Sequence, residues 1–190
     1  MPDTTSPKAE LRAAVLAKRD ALPADTRVAA AETIATRAFP IDVAGKIVSG
    51  FMPMKSEINP LPLLRKLAGE GASLALPAIA GRGKPLIMRA YAFGDEFARG
   101  QWGIREPKSE APEVAPDILI VPLACFDRVG HRIGFGAGYY DMTINALRAK
   151  KKVTAIGLAF AVQEIPQVPA TPRDARLDLV LTEREVIDFR

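Results

Sequence analysis

Four consecutive apolar residues, Ile118-Leu-Ile-Val121, stop at Pro122, and four glycines at positions 130, 134, 136 and 138 then lead into a helical pattern. An unbroken apolar run this short reads as a strand covered on both faces, because a buried helix needs roughly 10–12 residues. A buried strand, Asp117 to Pro122, that feeds a glycine loop and a helix, Gly138 to Lys150, is half of a βαβ unit. The same alternation recurs along most of the chain. Strand-length runs lie at Lys46 to Met52, Ser73 to Ile79, Leu86 to Phe93, Val153 to Phe160 and Leu177 to Thr182, and Asn59 caps a helix with Pro60 in its first turn. The expectation is an α/β fold with a largely parallel central sheet flanked by helices, and 190 residues fit one such domain over 1–190. Ligands in such folds gather at the carboxyl ends of strands.

An N-terminal helical section precedes the alternation. Ser6 and Pro7 form a helix start, and Leu11, Ala14, Val15, Lys18 and Leu22 recur at three and four as its apolar stripe, ending at Pro23. A second helix begins near Asp25, with Val28, Ala31, Ala35 and Ala38 in register, and stops before Pro40. Between Phe97 and Asp117 no periodicity is visible around Gly100, Gly103, Pro107, Pro112 and Pro116, so this stretch reads as a long functional or disordered loop in which Trp102 serves as an anchor.

The glycine loop is where chemistry concentrates. Alternating glycines let successive N–H groups line a cup that the following helix N-terminus completes, and phosphate is the natural guest. Arg128 and Arg132 bracket the loop in sequence and can each grip phosphate oxygens with two donors, while Asp141 could hold a Mg²⁺ shared with them. The loop lacks the Gly-Lys-Ser/Thr of a P-loop and the Gly-x-Gly-x-x-Gly spacing of a dinucleotide site. Residues 127–152 carry six basic side chains against two acidic ones, an excess equal to the +4 of the whole chain. Of these, Lys150, Lys151 and Lys152 read as a solvated helix end.

Single residues elsewhere leave alternatives open. Lys8 and Arg12 stand at i and i+4 on the first helix, where most like-charged pairs are simply solvated. Glu57, after a strand, either accepts hydrogen bonds from a polar heterocycle or is an acidic residue near the Asn59 cap. Asp174 and Asp178 could each complete a cation site with Asp141. One cysteine and one histidine exclude a disulfide framework and a multi-histidine metal site; Cys125 looks packed and His131 reads as a surface or supporting group. No apolar run is long enough to span a bilayer, and Met1 to Pro7 lack the grammar of a secretory signal, so a cytoplasmic chain with no membrane partner is expected. A monomer that does not use nucleic acid as a partner is the accompanying expectation.

The stretch Val121 to Asp141 resembles the signature of the 5-formyltetrahydrofolate cyclo-ligase (methenyltetrahydrofolate synthetase) family, Val-Pro-x-x-x-Phe-Asp-x-x-Gly-x-Arg-Leu-Gly-x-Gly-x-Gly-Tyr-Tyr-Asp, with Ile133 in the leucine place. Other pieces match in order: Lys8 to Arg12, Met52 to Ile58, Gly103 to Pro107 and the Asp178-Leu-Val-Leu-Thr-Glu183 end. The resemblance implies an ATP- and Mg²⁺-dependent closure of 5-formyltetrahydrofolate to 5,10-methenyltetrahydrofolate with release of ADP and phosphate. It implies ATP contacts from Lys8, Arg12 and the run Arg132, Ile133, Gly134, Phe135, Gly136, Ala137, Gly138, Tyr139 and Tyr140. It implies folate contacts from Met52, Glu57, Phe135, Gly136, Ala137, Gly138 and Tyr139, metal ligation by Asp141 and Asp174, and catalytic roles for Arg132, Tyr139 and Asp141. Phe135, Ala137 and Met142 stand where relatives often carry basic residues or glycine, so fewer cations are expected from the loop itself. The alternatives are a non-catalytic relative that binds nucleotide or folate and a basic nucleic-acid-binding module, for which 6% aromatic content is poor.

Overall fold

The structure, a computed structural model, describes residues 6–190. The reading of Met1 to Pro7 rests mostly on residues 1–5, which lie outside the described residues. Two helices, α1 (Pro7–Asp20) and α2 (Ala24–Thr36), are followed by β1 (Ile47–Ser49), α3 (Leu61–Gly69), β2 (Ser73–Ala78) and β3 (Ile87–Tyr91). Then come β4 (Phe97–Arg99), β5 (Arg105–Pro107), β6 (Ile118–Val121), β7 (Cys125–Phe126) and β8 (Arg132–Ile133). The chain closes with α4 (Tyr139–Arg148), β9 (Thr154–Leu158), β10 (Leu179–Leu181) and β11 (Val186–Asp188). The expected α/β architecture holds. Ser6 caps α1 by accepting a bond from the Ala9 amide, and Asn59 Oδ1 accepts one from Leu61 N at the start of α3.

Seven strands form the central sheet in the order β11-β10-β9-β6-β1-β2-β3. The five inner strands are parallel, and the two edge strands, β3 and β11, run antiparallel. Strand alternation sends Ile118 and Ile120 towards α2 and α3, where Ile34, Leu63, Leu64 and Leu67 meet them, and sends Leu119 and Val121 towards α4, where Ile144 meets them. Each such buried side chain contributes about 1.5–3 kcal/mol. Taken in chain order, the parallel strands run 2-1-3-4-5 across the sheet. The winding therefore reverses between β1 and β6, and the crevice outside the carboxyl ends of those two strands is the natural ligand site.

Beyond β6 the chain does not enter the glycine loop directly. β7 and β8 pair as a small antiparallel hairpin whose turn is closed by buried Asp127; its Oδ1 accepts from Val129 N and His131 N, both at 3.0 Å, and its Oδ2 accepts from Val168 N at 2.9 Å. At that turn Gly130 has φ +92°, and a Cβ there would lie 2.9 Å from the Leu177 carbonyl oxygen. Gly130→Ala is therefore expected to cost roughly 2–4 kcal/mol. A thermal melt should drop by about 5–15 °C; an unchanged melting temperature would mean the close approach to Leu177 does not matter.

Several expectations need correction. The buried residues of α1 are Val15 and Arg19, whereas Ala14 and Lys18 are exposed, so the inward stripe is Lys8-Arg12-Val15-Arg19. In α2 the buried residues are Ala30, Ala31 and Ile34, and Val28 is exposed. The irregular stretch after Phe97 contains the β4–β5 hairpin, tied to the end of β2 by Ile79 N donating to Glu106 Oε1. Trp102, at the tip of that hairpin, is 71% exposed and anchors nothing. No helix among the described residues is long and apolar enough to cross a membrane.

Candidate active site

Three segments converge on the crevice. From the end of β1 comes the loop through Met52 and Glu57; from β8 comes the glycine loop into α4; and α1 lies across the β7–β8 hairpin, with Leu11 and Val15 packed on Cys125 and Ile133. That packing fixes the rotation of α1, so Lys8, Arg12 and Arg19 face the crevice rather than solvent. Arg12 Nε donates to the Gly134 carbonyl oxygen at 2.7 Å, and Lys8 Nζ sits 2.5 Å from Asp174 Oδ2. Neither is a solvated charge.

The loop that Arg12 holds is open to solvent at Phe135, Gly136, Ala137 and Gly138. Gly136 and Gly138 adopt φ of +104° and +70°, left-handed conformations that glycine takes without strain. Gly138 is the residue before α4, so the free amides of that helix's first turn face the same space as the loop. Backbone donors, helix dipole and the Arg12 guanidinium together suit a phosphate group.

Two carboxylates border this cup. Asp141 Oδ1 accepts from buried Arg132 Nη1 and from Ala175 N, both at 2.9 Å, which leaves Oδ2 outside these bonds. Asp174 Oδ2 accepts from Thr171 N at 2.7 Å as well as from Lys8. Burial works to raise the Asp174 pKa, but the Lys8 ammonium and the Thr171 bonds outweigh it and hold the carboxyl below the usual range. The bond from Ala175 N to Asp141 brings Asp174 beside it, and the turn is further tied to α4 by Asn145 Nδ2 donating to Arg173 O. Among the described residues no group of three or more His, Cys, Asp or Glu could hold an ion unaided. The donor set does fit a hard divalent cation that takes its remaining ligands from phosphate oxygens and water, the habit of Mg²⁺. Asp178 is elsewhere: its Oδ2 accepts from Arg148 and from Ala155 N, which anchors α4 to the sheet.

On the β1 side, Glu57 folds back so that its Oε2 accepts from Met54 N at 2.8 Å. Burial raises its pKa, against the opposing pull of the Met54 amide and the Arg19 charge. Tyr140, on the first turn of α4, has a buried hydroxyl with no hydrogen-bond partner. Burial and then the Glu57 charge push its pKa up, while Arg132 opposes them, so the phenol is neutral and lies between the two halves of the site. Tyr139 is half-buried beside it, with its carbonyl accepting from Thr143.

The local charge excess of residues 127–152 does not point into the cup. Arg128 turns to Glu164 and Glu185, Arg148 to Asp178, and Lys151 to Asp117, so Arg128 does not bracket the loop in space and Lys151 is not a solvated helix end. The cations that do face the site are Lys8, Arg12 and Arg19 from α1, with Arg132. Arg19 escaped the sequence reading, although its spacing at i+7 from Arg12 on one helical face was a usable signal. Cys125 is fully buried with its thiol pushed up to about 11 by that burial, and His131 rests 3.4 Å from Asp127, so neither serves the site.

Residues 4–183 match the 5-formyltetrahydrofolate cyclo-ligase family. The chain is 31% identical over 191 residues to the 5-formyltetrahydrofolate cyclo-ligase of Mycolicibacterium smegmatis, covering 95% of each chain. It is 30% identical over 182 residues to that of Escherichia coli K12, covering 90% of this chain and 98% of the relative. The solution structure of Aquifex aeolicus 5,10-methenyltetrahydrofolate synthetase superposes with a TM-score of 0.79 at 30% identity, over 96% of this chain and 93% of the other. A Mycoplasma pneumoniae 5,10-methenyltetrahydrofolate synthetase shares the fold at 22% identity, with a TM-score of 0.73 over 94% and 99% of the two chains.

Proposed function

The chain belongs to the 5-formyltetrahydrofolate cyclo-ligase family, and from that premise we propose that it converts 5-formyltetrahydrofolate and ATP to 5,10-methenyltetrahydrofolate, ADP and phosphate, acting as a cytoplasmic monomer. The observation that carries this reading to the residues is the meeting, at the reversal point of the sheet, of a phosphate-sized amide cup, two carboxylates and the Glu57 loop.

The formyl oxygen is a poor leaving group as it stands. Its attack on the γ-phosphorus of ATP forms the O–P bond as the bond to ADP breaks. The side-arm nitrogen of the folate then attacks the activated carbon, the C–O bond breaks, and the departing phosphate keeps the former formyl oxygen. The proton lost by that nitrogen passes to solvent. Little covalent work is left to the protein; it must align oxygen and phosphorus and neutralise charge. In this reading Lys8, Arg12 and the amides of 134–140 take the ATP phosphates. Arg132 orients Asp141, and Tyr139 and Phe135 border both ligands. Met52 and Glu57 receive the folate. Asp141 and Asp174 would hold Mg²⁺, which when bound neutralises phosphate charge. An ATP turnover in 5-[¹⁸O]formyltetrahydrofolate tests the route: the label is expected in inorganic phosphate, and label left in water or folate overturns it.

Glu57 yields a second expectation, with opposite signs for function and stability. A carboxyl whose pKa is raised on folding contributes stability that is complete below its unfolded pKa, near 4.5, and lost as pH rises through its folded value. Ionised Glu57 therefore works against the fold at neutral pH. Glu57→Gln keeps an acceptor for Met54 N and removes that charge. Its melting temperature at pH 8 should equal or exceed wild type, while KM for folate rises by about tenfold or more. A large loss of stability with normal KM would make Glu57 a turn-former only.

A further inference from the structure

Arg19 is 4% exposed, yet it lies where a ligand would. Its Nε donates to Ser56 Oγ at 2.9 Å, its Nη2 is 3.8 Å from Asp20 Oδ1, and Ser56 in turn donates to Asp20. Its guanidinium carbon stands 5.8 Å from the centre of the Phe135 ring at the tip of the glycine loop. Nη1 has no partner at all. A guanidinium offers only donors, and leaving one unmatched in a buried place is costly unless a ligand supplies the acceptor. Among the described residues four buried side-chain atoms lack partners, and three of them, on Arg19, Arg132 and Tyr140, belong to this site. Arg132, on β8, and Tyr140, in the first turn of α4, flank the glycine loop, whereas Arg19 is bonded to the residue next to Glu57.

The neighbouring carboxylate indicates what Nη1 is for. Glu57 commits Oε2 to Met54 and leaves Oε1 for a ligand; Arg19 and Glu57 attract one another without forming a direct ion pair. An anion on Nη1 would be repelled by Glu57. A neutral ring edge with N–H donors beside a carbonyl oxygen satisfies both groups at once, and the flat face of Phe135 suits such a ring. Resting on the reading of Glu57 as a folate contact, we propose that Arg19 is a substrate-binding residue whose Nη1 donates to the 4-carbonyl oxygen of the folate ring, next to the N–H groups taken by Glu57.

The test compares 5-formyltetrahydrofolate with its 4-amino-4-deoxy counterpart by calorimetry without ATP. The exchange sets donor against donor at Arg19 and also removes the N3 hydrogen taken by Glu57, so both residues contribute to the preference. Wild type is expected to favour the 4-oxo ligand by roughly tenfold to a hundredfold. Arg19→Gln, whose amide can turn to accept as well as donate, should narrow that preference by about threefold or more, leaving the part that belongs to Glu57, and bind ATP alone as wild type does. Retention of the full preference, or equal weakening of both ligands, overturns the proposal, as does a matching loss of ATP affinity. Should Arg19→Gln fail to fold, Arg19→Lys takes its place: its single ammonium reaches Ser56 without a second arm for the carbonyl, and the preference should narrow by a similar factor. Wild type that binds neither ligand refutes the folate reading itself; a preference that survives undiminished in the variant refutes only the role of Arg19.

Discussion

Asp141→Asn turns over at least about 100-fold more slowly than wild type at saturating substrates, and its melting temperature stays within about 3 °C. The asymmetry follows from geometry. Asparagine presents an oxygen where Asp141 Oδ1 now accepts from Arg132 Nη1 and Ala175 N, so the turn carrying Asp174 stays tied to α4. What disappears is one negative charge at the edge of the phosphate cup, the charge that would hold Mg²⁺ together with Asp174. Raising Mg²⁺ should recover part of the rate. Arg132→Ala is a poorer probe, because the Arg132 side chain is 2% exposed and its removal leaves both a void and an unmatched carboxylate. Stability as well as rate should fall in that variant. Normal turnover by a folded Asp141→Asn protein would mean that Asp141 serves only to fasten the 171–175 turn.

Arg12→Ala raises KM for ATP by roughly tenfold to a hundredfold, with a smaller change in KM for folate. Arg12 works in two ways that act together. Its Nε holds the Gly134 carbonyl, and its guanidinium stands beside Gly136, 3.9 Å from where a Cβ on that glycine would lie. Loss of the side chain frees the loop and removes the nearest cation. Arg12→Lys separates the two effects: the charge remains while the fork that reaches both the carbonyl and a phosphate is gone. An intermediate KM is expected. If Arg12→Ala melts earlier but keeps its ATP KM, the residue is a strut beneath the loop and the phosphates lie elsewhere.

How far such a site can be read from sequence depends on what each element lies against. The unbroken apolar run Ile118–Val121 can be nothing but an interior strand, and the parallel sheet follows from its repetition. The glycine spacing likewise announces a loop that must approach something closely. Helix α1 is different. Its hydrophobic periodicity selects Leu11, Ala14, Val15, Lys18 and Leu22, and Leu11 and Val15 do pack on Cys125 and Ile133, but the helix also borders the candidate site, so the face it buries carries Lys8, Arg12 and Arg19 as well. Periodicity of apolar residues cannot report a buried polar face. Charge counting fails for a related reason. The basic side chains of 127–152 are numerous, but Arg128, Arg148 and Lys151 are matched by carboxylates from distant strands and loops. The β7–β8 hairpin has strands of two residues each, too short to leave a pattern, and depends on Asp127 bonding to Val168 far along the chain. Asp174 and Asp178 are indistinguishable by spacing; only tertiary bonds separate a carboxylate beside Asp141 from one that anchors a strand.

In the proposed reading the converging cup, carboxylates and Glu57 loop form one catalytic site for cyclisation. The purified protein, incubated with 5-formyltetrahydrofolate, ATP and Mg²⁺, is the direct measurement, followed by the near-ultraviolet absorbance of the methenyl product together with ADP. Absorbance and ADP should rise in a one-to-one ratio and only when all three are present. A folded protein that binds ATP and folate yet forms no methenyl product, or that hydrolyses ATP without it, would mean that these elements do not form a cyclisation site.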